Sequence, residues 1–592
     1  METIQNIILP QFDICNEAAL YFRNIKDTSY INHSLIFRKY GIADFDTYFN
    51  SLTLKKWTKY TQVKNVFLKL LYKGSFKVEV YQRCTNTGEI FNKTVREYYL
   101  DSVCDKSHTI IELPPFNSNS FVYFRVIALE EASEFYGGAY MIDESLCNKK
   151  DVRISVVICT YKREQYVLNN IKRLKEHFTD NCHSELFGKL NIKIIDNGNT
   201  LDNLEDSAIH IYPNKNFGGS GGFTRGIIET MKDHTFSHVL LMDDDVVIEI
   251  EAIYRLYKFL CFIKPEFEEN PIGGSMLKLD FPYIQQEAGV CWNSGYNSYP
   301  CKFNLDLRDG NNVFCNEIEE NVEINGWWFN CIPMVNIKPD NLPLPVFIRY
   351  DDLEYSLRVG KPYILLNGIC VWHESFENKY ASNLEYYTMR NHLIAYSLHS
   401  PGYDSKAIKK FLRHQLINKL YRYRYKDLEL NFRAVNDFFK GIDFIKKQNT
   451  LQLHQDIMRS GYQFNFFDEE QVKIDYFAYK QNLSYTEGRK KRLLRRMTLN
   501  GYLLPARKCI IVPAFSNNCG HYFRAAHVIN YDEKSGKGFV THRDRKYAIK
   551  LIIEYFKLCR KIRRNYMLTK KEYLNRIGEL TSLEFWNRYL EL

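Results

Sequence analysis

Two acidic clusters and one histidine stand out by residue type and spacing. Asp243, Asp244 and Asp245 close the apolar run His238-Val239-Leu240-Leu241-Met242. An apolar run that ends in three carboxylates reads as a buried strand delivering negative charge to the edge of a sheet. Adjacent carboxylates repel one another and resist desolvation, so they persist best where a cation or a cationic transition state compensates them. Side chains alternate on an extended backbone, which lets Asp243 and Asp245 face one site while Asp244 faces away. The bland alternative is a solvated acidic turn, and a lone acidic triplet fits it equally well.

The second cluster is Asp351-Asp352-Leu353-Glu354, and it is followed by Ile369-Cys370-Val371-Trp372-His373. Asp352 is of the right type for a general base, and His373 at a strand end for a metal ligand, although a solitary histidine is usually structural. Between the clusters, Asn325-Gly326-Trp327-Trp328-Phe329-Asn330 sets two indoles side by side. If this stretch is a strand they point to opposite faces, one into the core and the other free to stack on a ligand.

These groups need elements to position them. Ile154-Ser155-Val156-Val157-Ile158-Cys159-Thr160 has a buried-strand pattern, and Tyr161-Lys162-Arg163-Glu164 opens a helix that runs through Leu174. Ile192-Lys193-Ile194-Ile195-Asp196-Asn197-Gly198 repeats the strand-to-polar-turn pattern. Strand, helix, strand predicts a parallel α/β sheet whose ligands gather at the carboxyl ends, so Asp196 and Asn197 become candidates for a nucleoside, with a plain Asp-Asn-Gly turn as the alternative. Asn216-Phe217-Gly218-Gly219-Ser220-Gly221-Gly222-Phe223 leads into an apolar helix. Glycines let the backbone approach a ligand closely, and N–H groups at a helix start can face a phosphate; a flexible loop is the competing reading.

Upstream, Phe67–Tyr72, Phe76–Tyr81, Thr109–Leu113 and Phe121–Ile127 are short alternating or β-branched and aromatic segments, as in an antiparallel β-sandwich. Past about 380 the chain turns helical and charged, with basic runs at Arg489–Met497 and Arg560–Arg564. The expected organisation is a multidomain α/β chain: a β-sandwich over 1–150, an α/β domain over 151–400 and a mainly helical basic region over 401–592.

Of 592 residues, 45% are hydrophobic and 25% charged, which are ordinary globular values, and aromatics reach 15%. Fifteen cysteines without regular spacing argue against a disulfide framework and for a reducing compartment. The start, Met1-Glu2-Thr3-Ile4-Gln5-Asn6, lacks a secretory pattern and no apolar run is long enough to span a bilayer, so a cytoplasmic protein is expected. The net charge of +10 is concentrated late in the chain. Its basic runs, interleaved with apolar residues, suit anionic lipid headgroups or a merely solvated helix face; no reader motif points to nucleic acid.

Taken together, the Ile154–Thr160 strand, Asp196, the glycine-rich stretch, Asp243–Asp245, Trp327-Trp328, Asp351-Asp352-x-Glu354 and Trp372-His373 resemble an inverting glycosyltransferase of the GT-A (Rossmann-like) fold, family 2. More narrowly, they are similar to the bacterial galactofuranosyltransferases that extend galactan polymers from UDP-galactofuranose, and the resemblance runs over roughly 1–400. It implies that Asp243, Asp245 and His373 hold Mn²⁺ or Mg²⁺ bridging the UDP diphosphate. It implies that Thr160, Arg163, Asp196, Asn216, Gly218, Gly219, Asp243 and Asp244 lie along the UDP-sugar donor. Asp352 would be the base that deprotonates the acceptor hydroxyl, with Trp327, Trp328, Asp351 and Glu354 along the sugars. The acceptor would be a lipid-linked or growing cell-surface polysaccharide, handled by a peripheral protein on the inner face of a bacterial plasma membrane, with room for a homo-oligomer.

Chemistry agrees with that expectation, because leaving of UDP needs charge stabilisation on the diphosphate and the acceptor needs one carboxylate as base. Three other readings remain: another donor such as dTDP-rhamnose, UDP-galactopyranose or UDP-glucose; a nucleotidyltransferase; and a non-catalytic carbohydrate-binding scaffold, which would tolerate loss of Asp352.

Overall fold

The computed structural model describes residues 1–592 apart from 87–88, 103–105, 115–120, 202–205, 294–296, 376–379, 468–478, 481 and 483–485. Its N-terminal part is one nine-stranded antiparallel sheet running from Glu2–Ile7 to Ser133–Ile142. The strand Ser34–Asp44 pairs through Leu35–Phe37 with one half of that sheet and through Ile42–Asp44 with the other. Rings meet between the halves, Phe124 lying 6.3 Å from Phe135 and 6.5 Å from Tyr140. The expected sandwich is therefore one sheet folded over at a strand shared by both layers.

The central sheet begins with β1 (Ile154–Thr160), β2 (Leu190–Asp196), β3 (Ile209–Pro213) and β4 (His238–Asp243), which lie parallel in the order β3-β2-β1-β4. Helix α1 (Glu164–Leu174) follows β1, and helix α2 (Gly218–Lys232) connects β3 to β4. Beyond β4 the sheet turns mixed: β7 (Asn330–Pro333) runs antiparallel to both β4 and β5 (Ile272–Lys278). The short β6 (Ile284–Glu287) is antiparallel to β5, and β8 (Ile364–His373) is parallel to it. The parallel strands are near-continuous apolar runs because both faces are covered, as in β1, where Ile154, Val156, Val157 and Ile158 are all fully buried.

Helix α3 (Ile250–Cys261) ties the folded sheet to the central one. Its fully buried Arg255 donates to the backbone carbonyls of Phe49 and Asn367, at 2.7 and 2.6 Å, and Tyr21 donates to Glu249 at 2.9 Å. One hydrophobic core runs without a break from Ile4 to Trp372. A second runs from Val157 through the helices α5 (Leu384–His399), α6 (Ser405–Tyr421) and α7 (Tyr425–Phe438) to Leu590. The expected boundaries near 150 and 400 thus separate textures of sequence, while the apolar packing crosses both.

The region after 400 is mainly helical, as expected, and ends in the 32-residue α9 (Arg545–Arg576) and the short α10 (Leu583–Leu590). It also contains a small sheet in which Ala525–Asp532 pairs with Arg507–Pro513 on one side and Lys537–His542 on the other. That sheet was not expected from the sequence. The basic run Arg489–Met497 is the helix α8, and its residues are exposed or half-buried.

Candidate active site

The carboxyl ends of β1, β2 and β4 lie level, with Thr160 beside Asp196 and Cys159 beside Asp243 in the ladder. β8 brings His373 to the same edge, since the strand Val247–Ile248 just after the acidic triplet pairs with Val371 and Trp372. Ligand atoms of Asp243, Asp245 and His373 all lie within 4.8 Å of one another. His373 Nδ1 lies 2.7 Å from the Glu374 carbonyl, and Nε2 lies 3.3 Å from Asp245 Oδ1. A ring nitrogen that meets a carbonyl acts as donor, which leaves Nε2 as the nitrogen that would ligate a metal, the usual arrangement of a metal-binding histidine.

Burial raises the Asp243 carboxyl to about 7; the His373 ring opposes this, and the Asp245 and Asp244 charges add to it. A buried carboxylate destabilised in this way fits a site whose cation supplies the missing compensation. The donor set of two carboxylates and one imidazole suits Mn²⁺ or Mg²⁺. Asp244 faces elsewhere, although it and Asp245 lie in the turn after β4 and not on the strand itself: it accepts from Thr160 Oγ1 at 2.8 Å and from Arg163 Nη1 at 3.1 Å. The same guanidinium reaches Asp245 Oδ2 at 2.6 Å. Asn170 donates to the carbonyls of Asp244 and Val246, both at 3.1 Å, and so fixes the turn that carries the triplet.

The glycine-rich stretch is not a loop. Gly218 to Gly222 form the first turn of α2, and the glycines serve close packing. A Cβ on Gly222 would sit 2.1 Å from Cys159 Sγ on β1, and one on Gly226 2.1 Å from Val157 Cγ1. Gly218 has a left-handed φ of +72° and abuts the Phe347 carbonyl. Asn216 Oδ1 accepts from the Gly218 N–H at 3.1 Å, so its side chain shapes this turn. Asp196 is likewise occupied locally: its oxygens take the N–H groups of Gly198, Thr200 and Leu201 at 2.9, 2.6 and 2.9 Å.

A cavity of about 390 Å³ opens beside the trio, lined by Gly219, Asp243, Trp327, Trp328, Asp351 and Asp352 among others. Helix α4 (Asp351–Val359) starts at its wall. Asp352 Oδ1 accepts the Leu353 N–H at 2.7 Å. Burial raises both carboxyls, that of Asp351 to about 8 with the Asp352 charge adding to it. Glu287, at the end of β6, is pushed to about 7 by burial and by the Asp352 charge. The sequence did not single it out, since no motif surrounds it.

The two indoles precede β7 in a turn and do not alternate on a strand, so both are buried, at 4% and 6% exposure, and both line the cavity. Trp328 donates to the Gly274 carbonyl at 2.9 Å, whereas among the described residues Trp327 Nε1 is a buried donor with no partner. Glu354 is not brought to the cavity. It is buried against Arg358, at 2.8 Å, and His399, at 3.0 Å, and these partners hold its carboxyl low against the effect of burial. Its expected sugar contact is corrected to a structural one: three residues past Asp351, it points from α4 toward α5.

Comparison with known proteins agrees with this geometry. Residues 4–143 match the family model described as galactofuranosyltransferase 2 N-terminal, and residues 155–267 match glycosyl transferase family 2. The chain carries a family 2 glycosyltransferase domain. The transferase domain thus contributes β1 to β4 and the acidic triplet, while Asp351, Asp352 and His373 lie beyond the matched span. A galactofuranosyltransferase from Mycobacterium tuberculosis is 25% identical over 431 residues, covering 68% of this chain and 66% of that protein. Its counterpart from Mycolicibacterium smegmatis is 26% identical over 428 residues, covering 67% and 64%. The chain therefore spans a little under two thirds of the length of these relatives. A mannosyltransferase from Pyrobaculum calidifontis, solved with GDP-Man and Mn²⁺, overlaps 52% of this chain and 85% of its own at 12% identity, with a TM-score of 0.27, too low to bear on the fold.

Proposed function

We propose that this protein is an inverting, metal-dependent glycosyltransferase that moves galactofuranose from UDP-galactofuranose to a hydroxyl of a growing polysaccharide. The observation that carries this is one cavity lined by Asp351, Asp352 and Asp243, the last of which belongs to the cluster with Asp245 and His373. The curated relatives are named as galactofuranosyltransferases, which favours this donor over dTDP-rhamnose, UDP-galactopyranose or UDP-glucose. A non-catalytic scaffold would gain nothing from Asp243, Asp351 and Asp352 around one cavity with carboxyls raised above their ordinary range.

In this mechanism the chain's own residues do separate work. The start of α2 stands at the cavity wall through Gly219, where the helix dipole favours the negative charge of the donor's phosphates. Arg163 holds Asp244 and Asp245 in place at the mouth of the site. A divalent ion held by Asp243, Asp245 and His373 would supply Lewis-acid stabilisation of the charge that develops on the departing diphosphate. Asp352 takes the proton from the acceptor hydroxyl, a role that contributes about 10²–10⁴-fold. Asp351, kept largely protonated at neutral pH, donates a hydrogen bond to a sugar hydroxyl in the same cavity. The paired indoles at the cavity wall exclude water.

The test is UDP release from UDP-galactofuranose with a synthetic galactofuranosyl acceptor, with and without Mn²⁺, for wild type, Asp352→Asn and His373→Ala. Metal-dependent turnover that both substitutions abolish is the expected result. Turnover with another sugar nucleotide but not this one would keep the mechanism and remove the donor assignment.

The acceptor end is proposed to sit at an anionic membrane surface. On α8, Leu493, Leu494 and Met497 are exposed among Arg489, Lys490, Lys491, Arg492 and Arg496, an arrangement suited to headgroups and the upper acyl region. Among the described residues no helix is long and apolar enough to cross a membrane, so this attachment would be peripheral. Co-sedimentation with phosphatidylglycerol vesicles, reduced when Lys490, Lys491 and Arg492 become Glu, is expected; binding that ignores those charges would remove the proposal.

A further inference from the structure

Beside the reaction cavity lies a larger one, of about 700 Å³, that the proposed reaction leaves unused. Its volume falls within the range of about 300–1,000 Å³ typical of ligand sites. The floor is aromatic. His392 lies 4.2 Å, centroid to centroid, from both Tyr396 and Phe411, and Tyr396 lies 5.1 Å from Tyr403 and 4.5 Å from Trp292. The rim is polar and of both signs, with Asp404, Lys406, Lys410 and His414.

Tyr350 lines both cavities, and the next two residues are Asp351 and Asp352. Its backbone is left-handed, with φ +66°, as are those of Phe347 and Arg349 at +77° and +67°. Three such non-glycine residues within four positions are costly, and strain of this kind gathers at functional sites. The wall is also held from behind. Tyr350 Oη lies 3.0 Å from His392 Nδ1, and His392 Nε2 lies 3.0 Å from Tyr403 Oη. Burial keeps His392 neutral, so its two nitrogens play opposite roles in one fixed relay between the hydroxyls.

We propose that this second cavity binds the part of the acceptor saccharide beyond the sugar being extended, whose attacking end passes Tyr350 to reach Asp352. The inference rests on the transferase reading. A sugar chain presents C–H faces and a hydroxyl edge together, and it therefore matches ring faces below a rim of donors and acceptors. A lipid tail would leave that rim unpaired, and a phosphate group alone would have no use for the rings. The arrangement also accounts for the strain: the Phe347–Tyr350 segment must turn sharply to serve as the partition between two cavities and still deliver the two carboxyls.

The test is calorimetric titration of the full chain, without donor, using a synthetic galactofuranosyl disaccharide and the matching hexasaccharide. Wild type is expected to bind the hexasaccharide more tightly. Tyr396→Ala, and Ala407→Trp, which fills the cavity from α6, should each remove about tenfold of that advantage. Disaccharide affinity and UDP release with the disaccharide should stay unchanged, which also verifies folding. Equal affinity of wild type for the two oligosaccharides, or an advantage that survives Ala407→Trp, overturns the assignment. So does an advantage that appears only when the acceptor carries a lipid diphosphate and disappears in Lys410→Glu. Failure of the transferase reading shows separately, as absence of UDP release from UDP-galactofuranose with any acceptor.

Discussion

In the proposed reaction Asp352 must be ionised to accept a proton, and burial raises its carboxyl, opposed by the Leu353 N–H and the Arg349 charge. The rate at saturating metal should therefore fall as pH drops, with an acid limb above the ordinary carboxylate value of about 3.9. A pH–rate profile checks this; Asp352→Asn should lack the limb and run about 10²–10⁴-fold slower. Asp351 permits a stability test with a definite sign. Its folded value of about 8 lies above the unfolded one, so folding binds a proton and the group's contribution is lost as pH rises toward 8. In metal-free protein, Asp351→Asn should raise Tm at pH 8 by more than at pH 5, and a gain that is equal at both pH values would contradict it. The triplet, Asp352 and His373 were legible because each ends or follows an apolar run, and such ends meet at one sheet edge. Glu287 was not legible, because its place depends on β6 folding back against β5. The role of Glu354 could have been read from Arg358 four residues on, a spacing that pairs opposite charges on one helix face.

At the scale of elements, the approach of α2 to β1 decides where the positive end of the α2 dipole stands. Gly222→Ala would drive a methyl into Cys159 Sγ, displacing the helix at a cost of about 1–3 kcal/mol. Donor affinity measured by titration should drop with it, and adding Cys159→Ala should restore part of the loss, a non-additive pair. The sequence displayed these glycines clearly but not their use, since a run of glycines is equally consistent with a loose loop and a close crossing. The sheet formed by Arg507–Pro513, Ala525–Asp532 and Lys537–His542 escaped notice because the surrounding charge dominates the pattern. Ile510-Ile511-Val512 and the left-handed Gly536 were the strand and turn signals present.

At the scale of the molecule, the two cores ignore the boundaries of composition. Asn6 and Tyr21 bond to Glu251 and Glu249, and Lys56 pairs with Glu317 at 2.6 Å in a buried bridge. A fragment of residues 151–592 should therefore aggregate or melt far below the full chain, and the full chain should lose N-terminal and central structure in one transition. A stable, active 151–592 fragment would show that the shared core is dispensable. Composition alone marked where textures change, and apolar side chains carry no label for the partner they will meet.

One contact has a consequence in time. Phe217, which caps α2, lies 4.8 Å from Tyr589 on α10, and Lys215 pairs with Glu591. The ribosome makes α10 more than 300 residues after the glycine turn, a delay of roughly 20–70 s at synthesis speeds of about 5–20 residues per second. The donor end of the site is thus braced only when synthesis of α10 is complete. Chains stalled before Leu583 should bind UDP more weakly than released ones, and equal binding would show that the brace is not needed. Until then the emerging polypeptide carries its carboxylates and histidine beside an unbraced α2.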